Sequence, residues 1–204
     1  MGADFYQAAI PEPVTLLGVR LMPFSLGHVL LLNRFDNAFG TGETPTLADL
    51  IQGIVICSQT YADAIADLDN PALPEHVAKW QKRLIRKPLF GKSQPSFSPH
   101  EAANRFAQYV RDGSSFPLFS VDPSKTGQTI SVPLVQSVKI GLQSKLHLTD
   151  DQVLNRPWGL CLWDYFTLQA IEGNCKIADA EDTAELQKQA DALHLRMVER
   201  MGLN

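Results

Sequence analysis

The stretch from Pro157 to Gly173 constrains this chain more than any other, because Trp158, Leu160, Cys161, Leu162, Trp163, Tyr165, Phe166 and Leu168 place apolar side chains on every side of one helix. Such a helix is expected to be almost fully buried, so the remaining segments must supply elements that cover it. Pro157 suits a first helical turn, where its missing N–H has no intrahelical partner, and Gly173 followed by Asn174 supplies a left-handed stop. Immediately upstream, Thr149 and Gln152 form a T-x-x-Q capping box for a single turn through Val153 and Leu154, which Asn155-Arg156-Pro157 interrupts.

Helical periodicity continues toward the N-terminus. Ser25 stands ahead of Leu26, Val29, Leu30, Leu32 and Phe35, a spacing that predicts a helix over 26–36 with Gly40 and Gly42 in the following loop. Thr46 and Asp49 resemble a second capping box, opening a nearly all-apolar helix through Leu50, Ile51, Ile54, Val55 and Cys57 that belongs at the centre of a core. Pro74 starts a helix faced by Val77, Trp80, Leu84 and Ile85, which Pro88 stops. Ser98-Pro99 with Glu101 starts another, ending at Gly113. Val135, Val138, Leu142 and Leu146 predict a helix ending near Lys145, after Pro133. From Asp179 to Met201 a long polar helix carries only the sparse stripe Ala180, Ala184, Leu186, Ala190, Leu193, Met197 and Met201. A helix with so thin an apolar stripe lies on a surface or docks on a partner.

The expected class is therefore all-α, with about seven helices and at most a short accessory strand pair. Residues 1–15 read as an extended N-terminal arm because Pro11 and Pro13 resist helix, and the apolar Val14 to Phe24 can form a short strand. Residues 16–113 make a helical core, 114–132 a Pro- and Ser-rich loop with at most one strand at Thr129–Val132, and 133–204 a C-terminal helical part packing on the same core.

Composition narrows the function classes. With 204 residues, 45% of them hydrophobic, the chain is long enough to bury a core without metal or disulfide support. Its net charge of −4 offers no global field for phosphate, so nucleic acid is an unlikely partner, and no apolar run reaches the roughly 18 residues of a membrane span. Cys57, Cys161 and Cys175 are odd in number and form no CxxC pair, which suits a reducing compartment and a cytosolic location.

Few residues suggest chemistry. Phe39-Gly40-Thr41-Gly42 and Gly91-Lys92-Ser93 do not complete a phosphate loop, since Arg86 stands where the second pattern needs its first Gly. His28, His76, His100, His147 and His194 have no metal-binding companion at helical spacing, so neither a metal nor a cofactor is expected. His28 could serve as base to Cys57 as nucleophile, but the apolar run around Cys57 would bury the thiol and raise its pKa. The acidic pairs Asp150/Asp151 and Glu181/Asp182 sit where helix N-termini attract negative charge. Six of the 18 positive charges fall between Lys79 and Lys92 and read as a solvated helix face. No catalytic residue is assigned, and an enzyme is not expected.

Two segments, Met22-Pro23-Phe24-Ser25-Leu26-Gly27-His28-Val29-Leu30-Leu31-Leu32 and Leu148-Thr149-Asp150-Asp151-Gln152-Val153-Leu154-Asn155-Arg156-Pro157-Trp158, resemble the tail-assembly chaperones and related small proteins of tailed bacteriophages and prophages. Leu47 to Ser58 resembles the helix between those segments in that family. The resemblance implies a non-catalytic protein acting in the cytoplasm of the bacterial host, with the phage tape-measure protein or a tail-tube subunit as partner. Trp158, Trp163, Leu193, Met197 and Met201 are then the candidate partner-binding residues, on the two C-terminal helices. A homo-oligomer, a structural virion subunit such as a connector or baseplate component, and a cysteine-dependent enzyme using Cys57 or Cys161 stay open beside it.

Overall fold

The computed structural model describes residues 3–68, 98–120 and 132–178. Over these residues the protein is mainly helical: α1 (Ala3–Ala9), α2 (Leu26–Arg34), α3 (Ala38–Thr41), α4 (Leu47–Cys57), α5 (Tyr61–Leu68), α6 (Pro99–Gly113), α7 (Leu134–Leu146), α8 (Asp150–Asn155) and α9 (Trp158–Ile171). Two antiparallel pairs of two-residue strands accompany them, β1 (Thr15–Leu16) with β2 (Val19–Arg20) and β3 (Phe119–Ser120) with β4 (Lys176–Ile177).

Capping residues set the helix starts. The Thr46 hydroxyl accepts from Asp49 N–H while the Asp49 carboxylate accepts from Thr46 N–H, and Thr149 and Gln152 repeat the exchange at α8. Ser98 caps α6 with Pro99 in its first turn. At α2 the box is completed by His28, whose ring nitrogen Nδ1 accepts from Ser25 N–H as the Ser25 hydroxyl accepts from His28 N–H. Helix α9 ends before Gly173, which adopts φ +74°.

Two expectations need correction. The N-terminal arm is not extended through residue 15: Ala3–Ala9 forms α1, which packs on α6 and α9. The prolines restrict only their own surroundings, whereas Phe5 and Ala8 share one side of a helix, with Phe5 edge-on to Trp163 at 5.5 Å and Ala8 buried. Helix α9 is buried on one face rather than almost all round, since Thr167 and Ile171 are exposed and Ile171 reaches 78%. The loop after α6 also pairs as a strand at Phe119–Ser120, and Phe119 stacks on Phe166 with ring centroids 4.0 Å apart. Residues 129–131, the helix from Pro74, the basic run from Lys79 to Lys92 and the polar helix from Asp179 lie outside the described residues.

The core gathers around α2 and α4. Leu26, Leu31 and Leu32 meet Leu50, Ile54 and Ile56, with Phe106 of α6, Val138 and Leu142 of α7 and Cys161, Leu162 and Phe166 of α9 closing round them. Helices approach closely where a side chain is missing. A Cβ on Gly53 would stand 2.8 Å from the Phe106 ring, and one on Gly27 would stand 2.8 Å from the Leu154 carbonyl oxygen.

Candidate functional site

Three chain segments converge at the N-terminus of α2. Ser25 forms an isolated antiparallel bridge with Pro157: Leu26 N–H donates to Arg156 carbonyl at 3.2 Å, and Trp158 N–H donates to Phe24 carbonyl at 2.7 Å. Met22 N–H donates to the Cys57 carbonyl at 2.8 Å, and Tyr61 N–H to the Asn155 side-chain oxygen at 3.0 Å. The segments around residues 22–32, 47–58 and 148–158 thus form one junction of backbone hydrogen bonds.

Within that junction His28 is 1% exposed. Its Nδ1 accepts from Ser25, so the ring proton sits on Nε2, which donates to the Gln59 carbonyl at 2.9 Å. Burial holds its pKa below the ordinary histidine range, partly offset by the bond to Gln59. With both nitrogens engaged by backbone groups, the ring has no free atom with which to take a proton from a nucleophile. Cys57 is fully buried and burial pushes its thiol pKa far up; Cys161, also buried, is pushed up to about 12. These are packing thiols, and the junction is held by the His28 ring bonds to Ser25 and Gln59 and by the Met22 bond to the Cys57 carbonyl.

A surface groove of about 610 Å³ lies beside the junction, between the end of α1 and the end of α6. Phe24 and Tyr109 line it from the core side, edge to face with centroids 5.6 Å apart, and the Tyr109 hydroxyl is anchored on the Met22 carbonyl at 2.8 Å. Tyr6 and Ile10 form its other wall and are 60% and 76% exposed, an unusual surface load of large apolar groups. A smaller cavity of about 390 Å³ shares Pro11, Glu12 and Pro23 with it and adds Met22, itself 41% exposed. A concave surface with apolar walls and few polar groups is suited to holding a side chain or short segment of another molecule.

The candidate partner-binding residues are distributed differently. Trp158, 6% exposed, packs in the core and is unavailable to a partner in this fold. Trp163 is half-buried under Phe5, and its indole Nε1 is buried without a hydrogen-bond partner among the described residues. Leu193, Met197 and Met201 lie outside the described residues. Sequence reasoning missed the groove because its walls come from segments read separately, the N-terminal arm and the end of the helix at Gly113. The signal was Tyr6 and Ile10 at helical spacing, just before Pro11.

No group of three or more His, Cys, Asp or Glu side chains is placed to share a metal ion among the described residues, and no helix there is long and apolar enough to cross a membrane. Comparison with known protein families, curated proteins and solved structures returns no match to this chain.

Proposed function

We propose that the protein is a non-catalytic helical binding protein that assists bacteriophage tail assembly by sheltering an apolar segment of the tape-measure protein or a tail-tube subunit in the host cytoplasm. The observation that carries this reading is the groove walled by Tyr6 and Ile10, which leaves large apolar side chains in solvent beside a rigid junction. The resemblance of residues 22–32 and 148–158 to tail-assembly chaperones supplies the biological context. The two strongest candidates for a nucleophile, Cys57 and Cys161, are buried with raised pKa values, which favours binding over covalent chemistry.

A long amphipathic helical protein such as a tape measure exposes an apolar stripe until the tube surrounds it, and a partner with an apolar groove can cover that stripe. Co-expression with the products of the neighbouring genes tests the reading. Recovery of a long helical protein or a tube subunit with the chain is expected, and recovery of the chain alone would overturn it.

A structural virion subunit is the second reading. It is favoured by another exposed apolar set, Leu134 and Ile140 on α7 and Ile171 at the end of α9, away from the residues that line the groove. Finding the polypeptide in purified particles would support it over a chaperone that leaves before maturation.

A further inference from the structure

Resting on the binding reading above, we propose that the groove between α1 and α6 takes a cationic–apolar segment of the partner, a Lys or Arg side chain lying beside an aliphatic or aromatic one. The apolar half of that requirement comes from Tyr6, Ile10, Phe24 and Pro23. The charge comes from Glu12 and Asp112, the two ionisable carboxyl groups lining the groove, with no Lys, Arg or His among the described residues that line it.

Helix geometry adds to this field. Gly113, the last residue of the 15-residue α6, lines the groove, so the C-terminal end of that helix, where the negative end of its dipole falls, lies beside the same space, its last carbonyls partly satisfied by Ser114 and Ser115. Asp112 accepts from the Gln108 amide at 2.6 Å, and neither it nor Glu12 forms a salt bridge among the described residues. Arg111, in the last turn of α6, reaches the Gln108 side-chain oxygen at 3.5 Å and does not line the groove, and Arg20 lines the adjoining cavity instead. Negative potential over an apolar floor selects against acidic and neutral apolar segments alike: the first are repelled, and the second leave the carboxylates without a counter-charge as water is displaced.

The test uses the full chain and two fluorescein-labelled 12-residue peptides of equal apolar content. One carries Lys and Arg between Leu and Phe residues, and its twin carries Glu at the basic positions. Fluorescence anisotropy is expected to show the basic peptide binding, its acidic twin not binding, and a loss of at least about tenfold in affinity for the Glu12→Lys/Asp112→Asn variant and on raising salt. Glu12 is exposed and Asp112 half-buried, and a thermal melt checks that the variant folds. Equal binding of the two peptides, unchanged binding by the variant, or binding of neither peptide would overturn the proposal. Self-association relieved by Glu12→Lys, with no peptide bound, would overturn it in favour of a second copy of the chain.

Co-purification with the neighbouring gene products separates this inference from the reading beneath it. If the parent chain recovers a partner and the double variant recovers it equally well, the groove assignment fails while the binding function stands. If the basic peptide binds and no partner is recovered, the groove assignment stands and the proposed role in tail assembly fails.

Discussion

The backbone N–H of Trp158 donates to the carbonyl of Phe24 at 2.7 Å, joining the start of α9 to the start of α2 through the bridge between Ser25 and Pro157. Because Pro157 has no N–H and Arg156 is extended at φ −71°, ψ 138°, the chain between α8 and α9 opens its backbone groups to α2 instead of to its own helix. The kink is therefore what lets the two resembling segments meet. Arg156 also donates from Nε and Nη2 to one Asp164 carboxylate oxygen, at 3.0 and 2.5 Å, which fixes the kink from the α9 side.

Removing the indole at that joint should be costly. Trp158→Ala is expected to lower stability by about 3 to 5 kcal/mol, whereas Ile171→Ala, at a 78% exposed position, should stay within about 0.5 kcal/mol. Urea unfolding of both variants checks the contrast, and a mild Trp158→Ala would mean that the indole is not a core group.

Gly27 is required by proximity. An added Cβ would meet the Leu154 carbonyl oxygen at 2.8 Å and Tyr61 Cδ2 at 2.7 Å, and the carbonyl is backbone that cannot swing aside. Gly27→Ala should therefore cost about 1 to 3 kcal/mol despite the better helix propensity of alanine, as a melt of the purified variant would show.

Protonating His28 should loosen the junction. Its pKa is lowered by burial, so in the folded state it stays neutral at a pH where the unfolded chain has already taken up a proton. The unfolded state then binds more protons, and stability falls as pH drops below the ordinary histidine value near 6.5, by up to about 1.4 kcal/mol per pH unit. Cys57 and Tyr109, on the neighbouring α4 and α6, remain neutral over this range because burial raises both. His28→Gln keeps a side-chain acceptor for the Ser25 N–H and cannot titrate, so it should flatten the slope of stability against pH between 6.5 and the folded-state value. An unchanged slope would assign the acid sensitivity elsewhere.

Thiol reactivity should follow depth. Cys57 and Cys161 are buried with raised pKa values, and Cys175 is only half-buried, so a thiol reagent added to the native protein should modify at most Cys175. All three should react after unfolding. Rapid native labelling of Cys57 would revive the cysteine-dependent enzyme.

The helices were legible where local chemistry decides them. Thr46, Ser98, Thr149 and Pro157 mark helix starts by groups they offer or lack within one turn, and the structure uses each in that way. Long-range pairing left weaker traces. Phe119–Ser120 has no alternating apolar pattern of its own and is a strand because Ile177 and Lys176 lie opposite it. The groove was hidden for the same reason, since Tyr6, Glu12 and Asp112 share a surface only after α1 has packed on α6 and α9. His28 offered only a base to Cys57 or a ligand without companions, because its actual role depends on Gln59, which the intervening α4 brings back to it.

The most direct measurement is the solubility of a phage tape-measure protein, the proposed partner, expressed alone and together with this chain, and followed by sedimentation of the lysate. The account predicts that co-expression moves the tape measure from pellet to supernatant and that Ile10→Asp in the groove abolishes the shift while leaving the melting temperature of the purified chain unchanged. A tape measure that pellets equally with and without this protein would contradict it.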